Sequence, residues 1–176
     1  MSQFSKKDLT EIISSNAINK RVNEIAYDIS SKYRSKLPMV IGVLNGSFIF
    51  LADLVRCLNI DVEISFIKAR SYNGKQKSDI IKFDFFNFDQ IKGKDIIIIE
   101  DIVDTGDTLS KIRSKMINKA NSVAIAAFLL KPEKAKVNFK IDWVGFEIPD
   151  EFVVGYGLDY NQKFRNLKGI YQGIEI

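Results

Sequence analysis

Ile18, Val22, Ile25, Ala26 and Ile29 recur at three- and four-residue intervals, which predicts an amphipathic helix over about Asn16 to Tyr33. Pro38 closes that region, and the apolar run Met39 to Leu44 reads as a buried strand leading into a tight Asn45-Gly46 turn. Ser47 is placed to cap a following helix through Leu58, in which Leu51, Leu54, Val55, Cys57 and Leu58 share a face. Asp61 to Ile67 alternates like a strand, Ala69 to Asp79 is polar and reads as a mobile loop, and Ile80 to Phe88 reads as a strand or strand pair. Four β-branched residues in a row, Ile96 to Ile99, read as a strand buried on both faces. With a helix from about Thr108 to Asn118 and an apolar strand from Ser122 to Leu130, this completes a βαβ run. Beyond Pro132 the pattern shortens into Ile141–Phe146, Phe152–Gly155 and Gly169–Ile174. The alternation predicts an α/β fold, a doubly wound and mostly parallel sheet flanked by helices, in a single domain over residues 1–176.

Composition narrows the chemistry. The 176-residue chain holds 26 basic and 22 acidic residues, a net charge of +4 with no long basic run, so nucleic acid is not the expected partner. Histidine is absent, which excludes His-based catalysis and His metal sites. The one cysteine, Cys57, has no intrachain partner and reads as a small buried hydrophobe. No apolar run approaches the roughly 18 residues of a membrane span, and the N-terminal twenty residues lack a signal-peptide core, so a soluble cytoplasmic protein is expected.

The richest chemistry sits where the isoleucine strand ends. Glu100, Asp101 and Asp104 follow it directly, and Thr105-Gly106-Asp107-Thr108 leads into the next helix. Ligands of open α/β sheets bind at the carboxyl ends of strands, and a helix N-terminus there offers free N–H groups to a phosphate. Carboxylates for hydroxyls beside an anion cradle suit a sugar phosphate. A Walker-type nucleotide site is excluded, because no Gly-x4-Gly-Lys-Ser/Thr segment accompanies the acid-tipped strand.

This run, Ile96 to Thr108, resembles the phosphoribosyl pyrophosphate (PRPP) signature of type I phosphoribosyltransferases. Gly42-Val43-Leu44-Asn45-Gly46-Ser47-Phe48 is similar to the pyrophosphate loop of their hypoxanthine-guanine branch. Lys68-Ala69-Arg70-Ser71-Tyr72 is similar to the start of its mobile loop, and Gly145 to Tyr160 to its purine-binding segment. The likeness runs from about Arg21 to Tyr171. It implies a core over about 16–130 and a small hood, mainly about 131–176, over the carboxyl ends of the strands. It also implies transfer of ribose 5-phosphate from PRPP to hypoxanthine or guanine in purine salvage, giving IMP or GMP and pyrophosphate, with Mg²⁺ and as a homodimer or homotetramer.

The same resemblance assigns roles. Glu100 and Asp101 would hold the ribose hydroxyls, directly or through Mg²⁺, and Asp104 would be the general acid/base facing the purine. Thr105, Gly106, Asp107 and Thr108 would wrap the 5′-phosphate, with the Asp107 side chain turned away or capping the helix. Leu44, Asn45 and Gly46 would bind pyrophosphate through backbone amides, and Leu44–Asn45 corresponds to a non-proline cis bond frequent in the family. The family often carries Lys or Arg where Asn45 stands, so one cation is missing from this pocket. Ser71 and Tyr72 would belong to the closing loop. Lys131 would donate to the purine O6, which disfavours adenine; Phe152 would stack on the ring and the Val153 backbone would read its edge. Asp159 would be a further metal carboxylate and Arg165 its cationic partner, while Trp143 reads as hood packing. Two readings stay open beside this one: the same chemistry on xanthine or uracil, and a PRPP-responsive regulator that binds nucleic acid without turnover.

Overall fold

The computed structural model describes residues 9–71, 81–84 and 86–173. Strands β1 (Leu9–Ile13), β2 (Met39–Leu44), β3 (Glu63–Ser71), β4 (Ile81–Asp84), β5 (Asp95–Val103), β6 (Ser122–Leu130), β7 (Trp143–Glu147), β8 (Val153–Val154) and β9 (Ile170–Gly173) alternate with helices α1 (Ser15–Lys32), α2 (Phe48–Cys57) and α3 (Asp107–Met116). Six strands form one sheet in the order β4-β3-β2-β5-β6-β7. All its pairings are parallel except β3 with β4. Strands β1, β9 and β8 form a separate antiparallel sheet, so the hood takes its outer strand from the N-terminal part of the chain.

The isoleucine run explains why β5 is central. Ile97 and Ile99 enter the core shared with α1 and α2, whereas Ile96 and Ile98 enter the core shared with α3. All four are fully buried. Burying each such side chain stabilises by about 1.5–3 kcal/mol, so the strand that carries the acidic turn is among the most firmly held parts of the sheet. The α1 stripe Ile18, Val22, Ile25, Ala26 and Ile29 is buried as its spacing predicts.

Several expectations are corrected. Ser47 does not cap α2 with its side chain: its backbone is itself helical, and its hydroxyl donates back to the Val43 carbonyl at 2.6 Å. Cys57 is exposed, because the last turn of α2 packs on the core through Val55 and Leu58, which leaves Cys57 at the edge of the buried face. Trp143 is not hood packing; it opens β7, pairs with Ala126 in the main sheet and lies beneath Tyr33 and Lys32 of the α1 end. The main sheet therefore continues past residue 130. Ala69 to Ser71 are strand rather than loop, held by pairing with Ile81 to Phe83. Among the described residues of the 80–88 stretch the strand is Ile81–Asp84, and a 3-10 turn follows at Phe88–Ile91. Among the described residues no helix is long and apolar enough to cross a membrane.

Candidate active site

The carboxyl ends of β2 and β5 open into a cleft of about 450 Å³. Leu44, Asn45 and Gly46 line one wall; Glu100, Asp101, Asp104, Thr105, Gly106, Asp107 and Thr108 line the floor; Asp159 and Arg165 close it from the hood side. A smaller cavity of about 200 Å³ adjoins it, lined by Lys131, Phe152 and Val153 and sharing Asp101, Asp104 and Asp159. Of the residues singled out in the sequence, Ser71 ends β3 and Tyr72 lies outside the described residues.

Two turns shape the floor. The Leu44–Asn45 peptide is cis, and Gly46 packs so closely on β5 that a Cβ there would overlap Asp101 Oδ2. Gly106 takes φ +83 as the residue before α3, where a Cβ would also strike Val137. Asp107 therefore opens the helix at its first position instead of capping it, exposed at the positive end of the dipole. Its N–H points at Thr105 Oγ1, 3.4 Å away.

Electrostatically the floor is most strained at Glu100. Glu100 is buried and its Oε2 has no hydrogen-bond partner. Burial, then the neighbouring Asp101 carboxylate, holds its acid group well above the usual carboxylate range. Asp101 is also raised by burial, while its contact with Glu100, the Ile102 N–H at 2.9 Å and the charge of Arg165 pull the other way. An orphaned carboxyl oxygen beside a second buried acid is a donor set for a hard cation or for paired hydroxyls. No group of three or more acids able to cage a metal by itself occurs among the described residues.

At the hood side Arg165 Nη2 lies 2.6 Å from Asp159 Oδ1, and its Nη1 donates to the Gly157 carbonyl at 2.7 Å. Asp159 Oδ2 accepts the Gln162 N–H at 2.8 Å. A Cβ on Gly157 would overlap the Gly46 carbonyl, so the hood backbone rests directly on the β2–α2 turn.

Lys131 and Asp104, which line the second cavity, belong to a charge cluster whose other half, Lys134 and Asp150, the sequence does not signal. Lys131 Nζ, nearly buried, donates to Asp150 Oδ1 at 2.9 Å and lies 3.6 Å from Asp104 Oδ1. Lys134 Nζ lies 3.1 Å from Asp104 Oδ1 and 3.2 Å from Asp150 Oδ1. The contacts to Asp104 Oδ1 are charge contacts at ion-pair distance rather than aligned hydrogen bonds. Lys134 and Asp150 stand three and one residues from Lys131 and Glu151, yet only the Pro132 turn and the Pro149 corner bring them together, which no periodicity signals. Phe152 is half exposed, edge-on to Tyr160 with ring centroids 5.8 Å apart, and offers a free face to the cavity.

The chain is similar to known phosphoribosyltransferases over nearly its whole length. The "Phosphoribosyl transferase domain" family matches residues 8–161. A hypoxanthine phosphoribosyltransferase of Haemophilus influenzae is 42% identical over 93% of this chain and 94% of its own length. A hypoxanthine-guanine phosphoribosyltransferase of Bacillus subtilis is 41% identical over 92% of both chains. The crystal structure of a hypoxanthine phosphoribosyltransferase from Staphylococcus aureus superposes with a TM-score of 0.90 at 33% identity, covering 98% of this chain and 97% of that one. A cleft at the carboxyl ends of a parallel sheet, an acid-tipped central strand and this likeness along nearly the whole length converge: the chain belongs to the phosphoribosyltransferase family.

Proposed function

We propose that the protein transfers the ribose 5-phosphate group of PRPP to N9 of hypoxanthine or guanine, giving IMP or GMP and pyrophosphate, as a purine-salvage enzyme of the cytoplasm. The observation that carries the reading is one shared wall. Asp104 borders both the larger cleft, with its phosphate-sized turn and buried acids, and the smaller cavity, with its lysine and free aromatic face. A sugar phosphate in the first and a flat base in the second would meet beside its carboxylate.

Bond formation and cleavage balance simply. The purine N9 lone pair attacks C1 of the ribose, the C1–O bond to pyrophosphate breaks with its electrons leaving on oxygen, and the proton from N7 goes to Asp104. Thr105 to Thr108 bind the 5′-phosphate through the amides at the start of α3, and Leu44, Asn45 and Gly46 bind pyrophosphate through theirs. Glu100 and Asp101 accept the ribose hydroxyls, which gives the unpaired Glu100 oxygen its partner. Lys131 donates to the 6-oxo group, Phe152 stacks on the ring, and the Val153 backbone reads its edge. Ser71 and Tyr72 belong to the segment that excludes water from the reacting sugar.

Mg²⁺ fits the acids present. It needs only one or two carboxylates when substrate oxygens and waters complete its shell, and Glu100 offers one oxygen without a hydrogen-bond partner. Asp159 would share itself with Arg165 and the Gln162 N–H. When bound, the ion supplies charge neutralisation for the departing pyrophosphate. We assign the working form to a homodimer or homotetramer.

The test is turnover of purified protein with PRPP and Mg²⁺ and, separately, hypoxanthine, guanine, xanthine, adenine and uracil. IMP or GMP formation abolished by chelator supports the reading. Product from xanthine or uracil alone would keep the chemistry and overturn the base assignment. PRPP binding without product from any base would favour a regulator.

A further inference from the structure

Two carboxylates and two ammonium groups meet at the edge of the base cavity, and their charges balance only while all four are present. Lys131 is nearly buried, so its ammonium needs a partner when no base is bound. Asp150 supplies one at 2.9 Å. An ammonium has three N–H groups, so to serve a 6-oxo group Lys131 must share itself between the base and Asp150. Lys134 stands on the same oxygens, 3.2 Å from Asp150 Oδ1 and 3.1 Å from Asp104 Oδ1. Its turn is fixed rather than free: the Lys134 and Ala135 N–H groups donate to the Lys131 carbonyl, and the Lys136 N–H donates to the Thr105 carbonyl at 2.9 Å. The ammonium of Lys134 is thereby carried to the two carboxylates from a backbone tied to Lys131 and to Thr105.

We propose that Lys134 is a positioning residue for the 6-oxopurine. It neutralises Asp150 and Asp104 so that Lys131 can turn from Asp150 toward the base. The inference rests on the function proposed above and deepens it. Without Lys134, both carboxylates draw on the single ammonium of Lys131, and a neutral carbonyl must compete with two anions for it. Asp150 is the competing acceptor, so its charge sets how firmly Lys131 is withheld.

The experiment compares binding of IMP, which carries the 6-oxo group, with binding of PRPP, which carries no base, by calorimetry on the full-length protein with Mg²⁺. Steady-state KM values for hypoxanthine and PRPP accompany it. Lys134→Met is expected to weaken IMP binding and raise the KM for hypoxanthine about tenfold, the worth of one charge-assisted hydrogen bond. The values for PRPP should stay within twofold. Lys134→Arg should behave as the parent, and adding Asp150→Asn to Lys134→Met should recover most of the loss by removing the competitor. Equal weakening toward IMP and PRPP, or no rescue by Asp150→Asn, would overturn the proposal. A parent protein that binds PRPP but turns over no purine would instead overturn the function on which it rests, and the proposal with it.

Discussion

Glu100 and Asp101 ride on the end of a strand whose isoleucine run Ile96–Ile99 is fully buried, whereas Asp159 and Arg165 ride on a chain of turns. Between Gly155 and Phe164, six residues have positive φ: Gly155, Tyr156, Gly157, Asn161, Gln162 and Phe164. None of β5 does. The difference is in what each can hold. A strand locked by two cores can keep a buried, unpaired carboxyl in place against its desolvation cost, because moving it means disturbing packed isoleucines. The hood segment has little regular pairing, so it holds its polar groups by satisfying them: Asp159 by Arg165 and the Gln162 N–H, Arg165 by the Gly157 carbonyl. Stored electrostatic cost belongs to the sheet, and adaptable polar contact to the hood.

The largest effect that would sharpen this contrast is at the shared wall. Asp104→Asn keeps the shape and removes the proton acceptor, so kcat should fall by about 10²–10⁴, with PRPP affinity and circular dichroism unchanged. A drop below tenfold would move the proton acceptor elsewhere. Next comes the contact between turn and strand. Gly46→Ala must push Asp101 aside, and a displacement on the order of 1 Å at a positioned group can cost about 10²-fold in rate. Single-turnover kinetics should show the loss in the chemical step together with weakened PRPP binding. An Ala variant with parent kinetics would mean that the strand tip is not rigid.

Glu100→Gln tests the stored cost directly. The folded-state pKa of Glu100 is raised by burial, so the native state binds its proton more tightly than the unfolded chain does. Below the unfolded value of about 4.3 both states are protonated and nothing is lost. As pH rises through the raised folded pKa, stability declines because the unfolded chain releases a proton that the native state must keep or exchange for a buried charge. Gln carries no such penalty. The ligand-free variant should therefore melt higher than the parent near pH 7–8, by about 2–4 °C for each kcal/mol relieved, and the gap should close toward pH 4. Turnover should fall at the same time. A variant less stable than the parent at neutral pH would show that Glu100 is satisfied in the native state after all.

How much of this was legible beforehand follows the same division. The Ile96–Ile99 run, the α1 stripe and the Ser122–Leu130 strand announce themselves by periodicity, and the acids after Ile99 stand out because a buried strand has no reason to end in three carboxylates. Trp143 reads as hood packing because a short strand some ten residues beyond Pro132 carries no signal of which sheet it joins; only pairing with Ala126 decides it. Cys57 keeps helical phase with Leu54, and phase cannot tell which residue of a helix's last turn lies at the edge of the buried face. Lys134 and Asp150 meet across two turns, and the nearness depends on backbone geometry that residue types do not encode locally.

The smallest predicted effect probes how the hood is fastened. The Tyr156 hydroxyl donates to Asp53 Oδ2 on α2 at 2.8 Å, and its ring lies 4.7 Å from that of Phe128. Burial, and then the Asp53 carboxylate, holds its phenol far above the ordinary tyrosine range, so it stays a donor at every working pH. Tyr156→Phe keeps the ring and deletes the donor. Asp53 also pairs with Arg56 and is not left wholly alone, so the loss should be that of one hydrogen bond, about 1 kcal/mol. Urea unfolding should show this as a lower midpoint with an unchanged slope, while kcat at saturating substrates stays near the parent value, because the ring and the Gly157–Gly46 contact still seat the hood. A large fall in kcat with little change in stability would reverse the reading: the hood would then owe its placement over the cleft to this side-chain tether rather than to backbone resting on backbone.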